Sequence, residues 1–380
     1  MVDKERMSVI VISDSYRPTT ATSNRLLAIL KGLNALGCQC EMTFVYENKN
    51  GDQVDSTQYA NIKFNYLLNS REKINKRPFL KLILSLLYLR KYIKRLPNGA
   101  TILLMDGTVY LPLILQEKRF KVYAERTEHP SITMMPSWIN PYFMRQYEKL
   151  DGLFVISTAL KDYYTSRGVS NVEIINMIVD GSRFSNLEKT PNREKYIAYC
   201  GTVTNNKDGV NDLIRSYAIV HASHPEYKLY IIGPIPSIKE RNGNIDLIKD
   251  LGLEKSVFLT GVVTSNKLPQ MLLDSEVLVL ARPENLQAKY GFPTKLGEYL
   301  MTSNPVVVTS VGDIPLFLED GKSAFLATPG DCQDIANKIN WAIENPEESS
   351  KIGDSGKAVA LANFNNEKES RKMLEMVFRE

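Results

Sequence analysis

Short apolar runs alternate with segments of helical period along the chain. Residues 8–12 are continuously apolar after Ser8, as expected for a strand buried on both faces. A polar loop over 13–23 leads into a helix whose broad apolar face carries Leu26, Leu27, Leu30, Leu33 and Leu36, stopped by Gly37. The next strand spans 41–46. Strand, helix and strand in about 40 residues make a βαβ unit with a right-handed crossover. The alternation continues with strands at 101–105, 121–124, 152–156 and 174–179. It breaks in a polar stretch, 186–195, that contains Pro191. It then restarts at 196–200 with a helix from Gly209, where Val210, Leu213, Ile214, Tyr217 and Ala218 fall on one face. Strands follow at 228–232, 257–259, 276–280 and 306–309, then a helix from Asp331 and a charged, helix-favouring tail over 366–380. The pattern predicts an α/β protein of two doubly wound domains, 1–188 and 189–363.

At 380 residues the chain exceeds one core of typical size, so two domains of roughly 180 residues fit. Its 43% apolar and 24% charged residues are those of a globular protein, and a net charge of +4 is too mild for a dedicated nucleic-acid binder. Cys38, Cys40, Cys200 and Cys332 show no metal-ligand spacing, and Cys38 and Cys40 read as same-face buried residues. No segment holds the ~18 uninterrupted apolar residues of a membrane span, and the start lacks the apolar core of a signal peptide. These features predict a cytoplasmic protein with reduced thiols.

Candidate chemistry collects at strand ends. The stretch 290–300 reads loop, then helix, with Pro293 suited to the first helical position. The free amides of Thr294, Lys295 and Leu296 would favour an anion there, and Glu298 lies one to two turns on. Phosphate at a helix start and hydroxyls at a nearby carboxylate outline a nucleotide site. Lys207, just ahead of the helix from Gly209, makes most sense sharing an anion with that helix start; otherwise it is a solvated lysine. Arg282 closes a buried strand, either clamping a diphosphate or pairing with Glu284. In the first half, Thr20, Thr22, Ser23 and Asn24 cap a helix or receive phosphate. Glu125, Arg126, Glu128 and His129 crowd the end of a strand, where pKa values are tuned and substrates held. Residues 71–97 hold nine Lys or Arg against the single acid Glu72, around an apolar centre. They form a helix lying on an anionic membrane through Leu80, Leu84 and Leu87, or a sheet-covering helix with a basic rim.

The second half resembles the retaining family-four glycosyltransferases of the GT-B fold, the bacterial lipopolysaccharide- and capsule-type enzymes. The likeness is carried by Cys200-Gly201 with Lys207-Asp208-Gly209-Val210, by Ile231-Ile232-Gly233, by residues 292–298 with Asn304-Pro305-Val306-Val307, and by Val179-Asp180 with Phe184. The resemblance implies two Rossmann-like domains facing across a cleft, with the tail from about 364 to 380 packed back on the first. It implies transfer of a sugar from a UDP- or GDP-linked donor to a hydroxyl acceptor, with retention and with no cofactor or obligatory metal. By the same likeness Glu298 holds the ribose hydroxyls and Lys207 the diphosphate, and the amides after Phe292 receive phosphate and sugar. Gly201, Thr202, Gly233, Tyr290, Pro293, Lys295 and Leu296 complete the donor site. Lys207, Arg282, Glu128 and His129 are the candidates for catalysis, while Thr22, Asn24, Glu125 and Arg126 meet the acceptor. That acceptor is a glycan or lipid-linked glycan of surface polysaccharide synthesis, which places the protein peripherally at the inner face of the cell membrane.

Two positions depart from the family pattern. The glutamate that usually contacts the donor sugar falls at Tyr290, and an arginine usual after the loop glycine falls at Thr202. Arg282 and Lys295 are expected to supply the missing charge. The alternative is a catalytically silent homologue that binds glycans or serves as a partner subunit.

Overall fold

A computed structural model describes residues 7–18, 20–47, 50–69, 77–132 and 139–379. The basic stretch 71–76 therefore lies outside the described residues. The chain forms two compact units, Met1–Ile178 with Asn366–Glu380, and Val179–Asn365. The division falls ahead of the polar stretch 186–195.

The first unit is built on β1 (Ser8–Ser13), α1 (Ala21–Ala35), β2 (Gln39–Tyr46), β3 (Ile62–Leu68), α2 (Pro78–Ile93), β4 (Thr101–Leu104), α3 (Leu111–Leu115), β5 (Lys121–Arg126), α4 (Asn140–Tyr147), β6 (Gly152–Val155), α5 (Thr158–Thr165) and β7 (Val172–Ile174). Its seven strands are ordered β3-β2-β1-β4-β5-β6-β7, and each pair is parallel. Parallel strands covered by helices bury both faces, which explains the unbroken apolar runs.

The second unit contains β8 (Tyr196–Cys200), α6 (Asn205–Asp208), α7 (Val210–Ser223), β9 (Lys228–Ile232), α8 (Ile238–Asp250), β10 (Val257–Gly261), α9 (Leu268–Asp274), β11 (Val277–Leu280), α10 (Leu286–Tyr290), α11 (Thr294–Met301), β12 (Val306–Thr309), α12 (Ile314–Phe317), β13 (Phe325–Ala327), α13 (Cys332–Glu344) and α14 (Pro346–Asn363). Its parallel sheet runs β10-β9-β8-β11-β12-β13. Strand β8 thus has the place that β1 has in the first sheet, with its successors on opposite sides. A ligand crevice is expected at that reversal, outside the carboxyl ends of the strands.

The last helix, α15 (Asn366–Val377), belongs to the first unit. Met373, Leu374 and Val377 enter the core formed by Val9, Leu26, Ile29, Leu33 and Phe44. Each buried side chain of this size contributes roughly 2 kcal/mol. The Ser370 hydroxyl donates to the Ile29 carbonyl at 3.2 Å, and the Glu369 carboxylate accepts from the Asn176 amide at 2.7 Å. Cys38 and Cys40 are buried at the start of β2.

Candidate active site

The loop leaving β8 is knitted to its neighbours through backbone. Gly201 donates to the Ile232 carbonyl at 2.8 Å, Val203 to Pro234 at 2.9 Å, and Gly233 to Gly261 at 2.9 Å. Gly233 has φ +137°, and a Cβ there would lie 1.9 Å from the Gly201 carbonyl oxygen. A Cβ at Gly201 would lie 1.8 Å from Lys295 Nζ and 2.4 Å from the Tyr199 hydroxyl. Both glycines are therefore required: one lets two loops touch, and the other leaves room for a lysine against the backbone.

That lysine comes from the start of α11. Pro293 is the residue before the helix, with extended ψ of 111°, rather than its first residue; the helix opens without a side-chain cap. Its first amides lack a capping side chain, so an anion is favoured there. The Lys295 ammonium pairs with Asp208 and donates to the Tyr199 hydroxyl at 3.3 Å. The Tyr199 hydroxyl donates in turn to Asp208 at 2.7 Å and lies 2.9 Å from the Thr202 carbonyl. Burial pushes the Asp208 carboxyl up, but Lys295, Tyr199 and Arg282 outweigh it and hold the carboxyl below its ordinary range. Burial lowers the Lys295 pKa; Asp208 opposes this, and the neighbouring charge of Lys207 adds to it. Lys207 lies in the short helix α6, separated by Gly209 from the longer α7. The charge of Lys207 thus adds to that of Lys295, whose ammonium is in contact with the Asp208 carboxylate. An anion would relieve the repulsion between the two lysines.

Glu298 follows on α11, half-buried and ion-paired with Arg183. Arg183 stands in the turn Gly181–Phe184 and also donates to the Ser265 carbonyl at 3.3 Å. Burial raises the Glu298 carboxyl, while Arg183 and then Lys295 oppose the rise. Arg183 was not among the expected site residues. Its only signal in the chain is its place between Asp180 and Phe184.

The remaining donor candidates divide by environment. Arg282 is buried; its guanidinium donates to the Gln287 carbonyl at 3.4 Å, and its charge helps to lower the Asp208 pKa. Phe292 is buried, its ring centroid 5.6 Å from those of both Phe317 and Phe364, so it anchors the loop by packing. Leu296 is buried likewise, while Thr202, Thr294 and Tyr290 are half-exposed. Tyr290 ends α10 instead of lying in a loop.

In the first unit β5 runs two residues further than expected, because Glu125 and Arg126 pair with Phe154 and Val155 of β6. Glu125 is buried, and its carboxylate accepts two bonds from Arg25 at 2.8 and 3.0 Å. Arg25 also donates to the Asn176 and Ile175 carbonyls, at 2.8 and 2.9 Å. That network corrects the expectation of a substrate-facing Glu125: its Oε1 takes both Arg25 bonds inside the core. Arg126 donates to the Thr108 hydroxyl at 2.7 Å. His129 Nδ1 lies 2.6 Å from the Ser131 hydroxyl, and its ring meets Tyr163 edge-on at 4.4 Å; Glu128 beside it is half-exposed. Burial and then the Arg167 charge lower the His129 pKa. Thr22 and Asn24 are exposed on the first turn of α1, which Thr20 caps.

A further cluster stands directly after β1. Asp14 accepts from the hydroxyls of Tyr46 at 2.5 Å and Tyr110 at 2.9 Å and pairs with Arg17 at 3.3 Å. Burial raises its pKa against these bonds, helped by the charge of Asp106.

Residues 182–359 match the family described as glycosyl transferases group 1. The chain is 24% identical over 312 residues to the poly(ribitol-phosphate) alpha-N-acetylglucosaminyltransferase of Staphylococcus aureus, covering 80% of this chain and 60% of that protein. It is 25% identical over 216 residues to the MMP alpha-(1->4)-mannosyltransferase of Mycolicibacterium hassiacum, covering 56% of this chain and 50% of that one. The chain thus spans little more than half the length of these two curated relatives. Among solved structures, Anabaena Alr3699/HepE in complex with UDP aligns with a TM-score of 0.76 at 15% identity, over 98% of this chain and 99% of that one. The likeness in fold covers both Rossmann-like units, and the matched motifs sit at the strand ends just described. Over its second unit the chain thus resembles the group 1 glycosyl transferases, and its fold of two Rossmann-like units is that of HepE.

Proposed function

We propose that this protein is a retaining glycosyltransferase that moves a sugar from a UDP- or GDP-linked donor to a hydroxyl of a glycan or lipid-linked glycan. The setting is bacterial surface polysaccharide synthesis, at the inner face of the cell membrane. The observation that carries the reading is the placement of Lys295 against the Gly201 backbone, fixed by Asp208 and within the field of Lys207. Cleavage of the donor builds charge on the leaving diphosphate. Fixed ammonium groups and helix amides stabilise that charge more than they stabilise the ground state, which is what lowers the barrier. Glu298, held by Arg183, is the group for the ribose hydroxyls. The UDP bound to HepE and the sugar transfers named for the two curated relatives support a nucleotide-sugar donor. Retention rests on the family resemblance.

The test is a panel of UDP- and GDP-sugars, screened by thermal shift and then by slow donor hydrolysis. Stabilisation by one nucleotide class with release of its diphosphate is expected. Binding without turnover would favour the silent homologue, to which the tyrosine at 290 and threonine at 202 lend support. Conversion of free donor without an acceptor, giving an epimerised sugar nucleotide, would contradict the transferase.

A further inference from the structure

Helix α2 carries its large apolar side chains on the wrong face for a helix that merely covers a sheet. Ser85, Leu89 and Ile93 point inward and are buried, whereas Phe79 is 77% exposed, Ile83 40%, Leu87 56% and Tyr88 47%. Leu84, expected on the lipid-facing stripe, is half-buried; the outward row is Phe79, Ile83 and Leu87, spaced four apart. The helix has no acidic residue. Arg77, Arg90, Lys91, Lys94 and Arg95 flank the row at its two ends, all exposed. The helix dipole accounts for cations in the last turn but not for an outward phenylalanine and leucine.

The helix is also fixed in place. The Tyr92 hydroxyl accepts from Thr43 at 2.9 Å and donates to Glu41 at 2.7 Å. Lys81 Nζ lies 3.4 Å above the Tyr46 ring. Arg119 donates to the carbonyls of Ile93 at 3.0 Å and Leu96 at 2.7 Å, which closes the helix end. At 16 residues the helix is about 24 Å long, short of the ~30 Å hydrocarbon core. Among the described residues no helix is long and apolar enough to cross a membrane.

We propose that the outward face of α2 docks on an anionic lipid surface, its apolar row entering the headgroup boundary and its cations meeting lipid phosphates. A second copy of the chain fits this face poorly, because a symmetric contact sets the same cations against each other. The proposal rests on the membrane-side placement above but not on the donor chemistry, so a failure of one leaves the other standing.

Sedimentation with vesicles tests it directly. The full chain should pellet with vesicles of half phosphatidylcholine and half phosphatidylglycerol, and weakly or not at all with phosphatidylcholine alone. Lys91→Glu with Lys94→Glu should weaken binding by more than tenfold, since each cation near such a surface is worth roughly fivefold. Phe79→Ser with Leu87→Ser should weaken it similarly while leaving thermal unfolding and nucleotide-induced thermal shift unchanged, because both side chains are exposed. No pelleting with anionic vesicles, or equal pelleting of all variants, would overturn the proposal. So would a concentration-dependent dimer, seen by sedimentation velocity without lipid and abolished by Phe79→Ser with Leu87→Ser.

Discussion

The loops that leave β1 and β8 occupy the same place in two sheets of the same strand order, yet their carboxylates are held in opposite electrostatic states. Asp14, after β1, is bound by two tyrosine hydroxyls, and the cation paired with it, Arg17, is 57% exposed. Its pKa is raised, burial being the largest cause. Asp208, past β8, has only 2% of its side chain exposed, so burial alone should push it up as well. It is lowered instead, because the Lys295 ammonium is in contact and Tyr199 adds a bond. A contact ammonium thus outweighs burial, whereas a solvated guanidinium does not. The end of β8 therefore carries a surplus of fixed positive charge with glycines leaving space beside it, as an anion site needs. The end of β1 offers a carboxyl and two phenols, groups that bond to hydroxyls.

The largest effect that could break this contrast is loss of the second carboxylate. Asp208→Ala leaves the largely buried Lys295 ammonium without its counter-charge, a change that costs roughly 3–5 kcal/mol. The folded pKa of Asp208 is depressed, so its contribution is fully present above the unfolded value of 3.8 and is lost as pH falls through the folded pKa. Urea midpoints should show a large deficit at neutral pH that shrinks in strong acid. Alanine at Asp14 should cost about 1 kcal/mol or less. Equal losses at neutral pH would mean that the two ends do not differ as described.

Much of this organisation was legible in the chain, and the failures have a common cause. Apolar runs and helical periods are local, so the tandem sheets and the restart at Tyr196 could be read directly. The motif around Pro293 pointed to the helix start because capping chemistry is also local. Side-chain pairing between distant positions leaves no such trace. Arg183 meets Glu298 across 115 residues, and Tyr110 meets Asp14 across 96. Glu125 looked like a loop residue because the pattern does not reveal that β6 extends the pairing by two residues. In α2 nearly every position from Phe79 to Leu89 is apolar, so the period does not select an inward face. Anchors such as Tyr92 and Arg119 make that choice, and they act through partners on other elements.

A smaller effect sharpens the anion side of the comparison. Gly201→Ala places a methyl where Lys295 Nζ now lies and 2.4 Å from the Tyr199 hydroxyl; both are side-chain ends, and the long lysine can swing away where backbone cannot. The fold should survive, but nucleotide affinity should fall about tenfold or more, since a charge-assisted contact is worth roughly 1.5–3 kcal/mol. Lys295→Met should cost a similar amount, and the double variant little more than either single one. Such non-additivity, read from titrations of UDP or GDP by calorimetry, is the mark of two residues acting through one contact. Full additivity would mean that the glycine serves the backbone alone.

The smallest effect has the opposite sign and lies in the first unit. Asp14 has its folded pKa raised above the ordinary 3.8, so at neutral pH folding must carry an ionised carboxylate into a site that disfavours it. Below 3.8 the group is protonated in both states and the penalty is absent; it grows as pH rises through the folded pKa. Asparagine keeps the shape and can still bond to Tyr46 and Tyr110 without the charge. Asp14→Asn should therefore stabilise the protein slightly at neutral pH, by about 0.5 kcal/mol, and change nothing in strong acid. Asp208→Asn should destabilise it over the same neutral range. Unfolding curves at the two pH values give the sign for each variant, and a loss of stability for Asp14→Asn at neutral pH would show that Arg17, despite its exposure, governs that carboxylate as Lys295 governs the other.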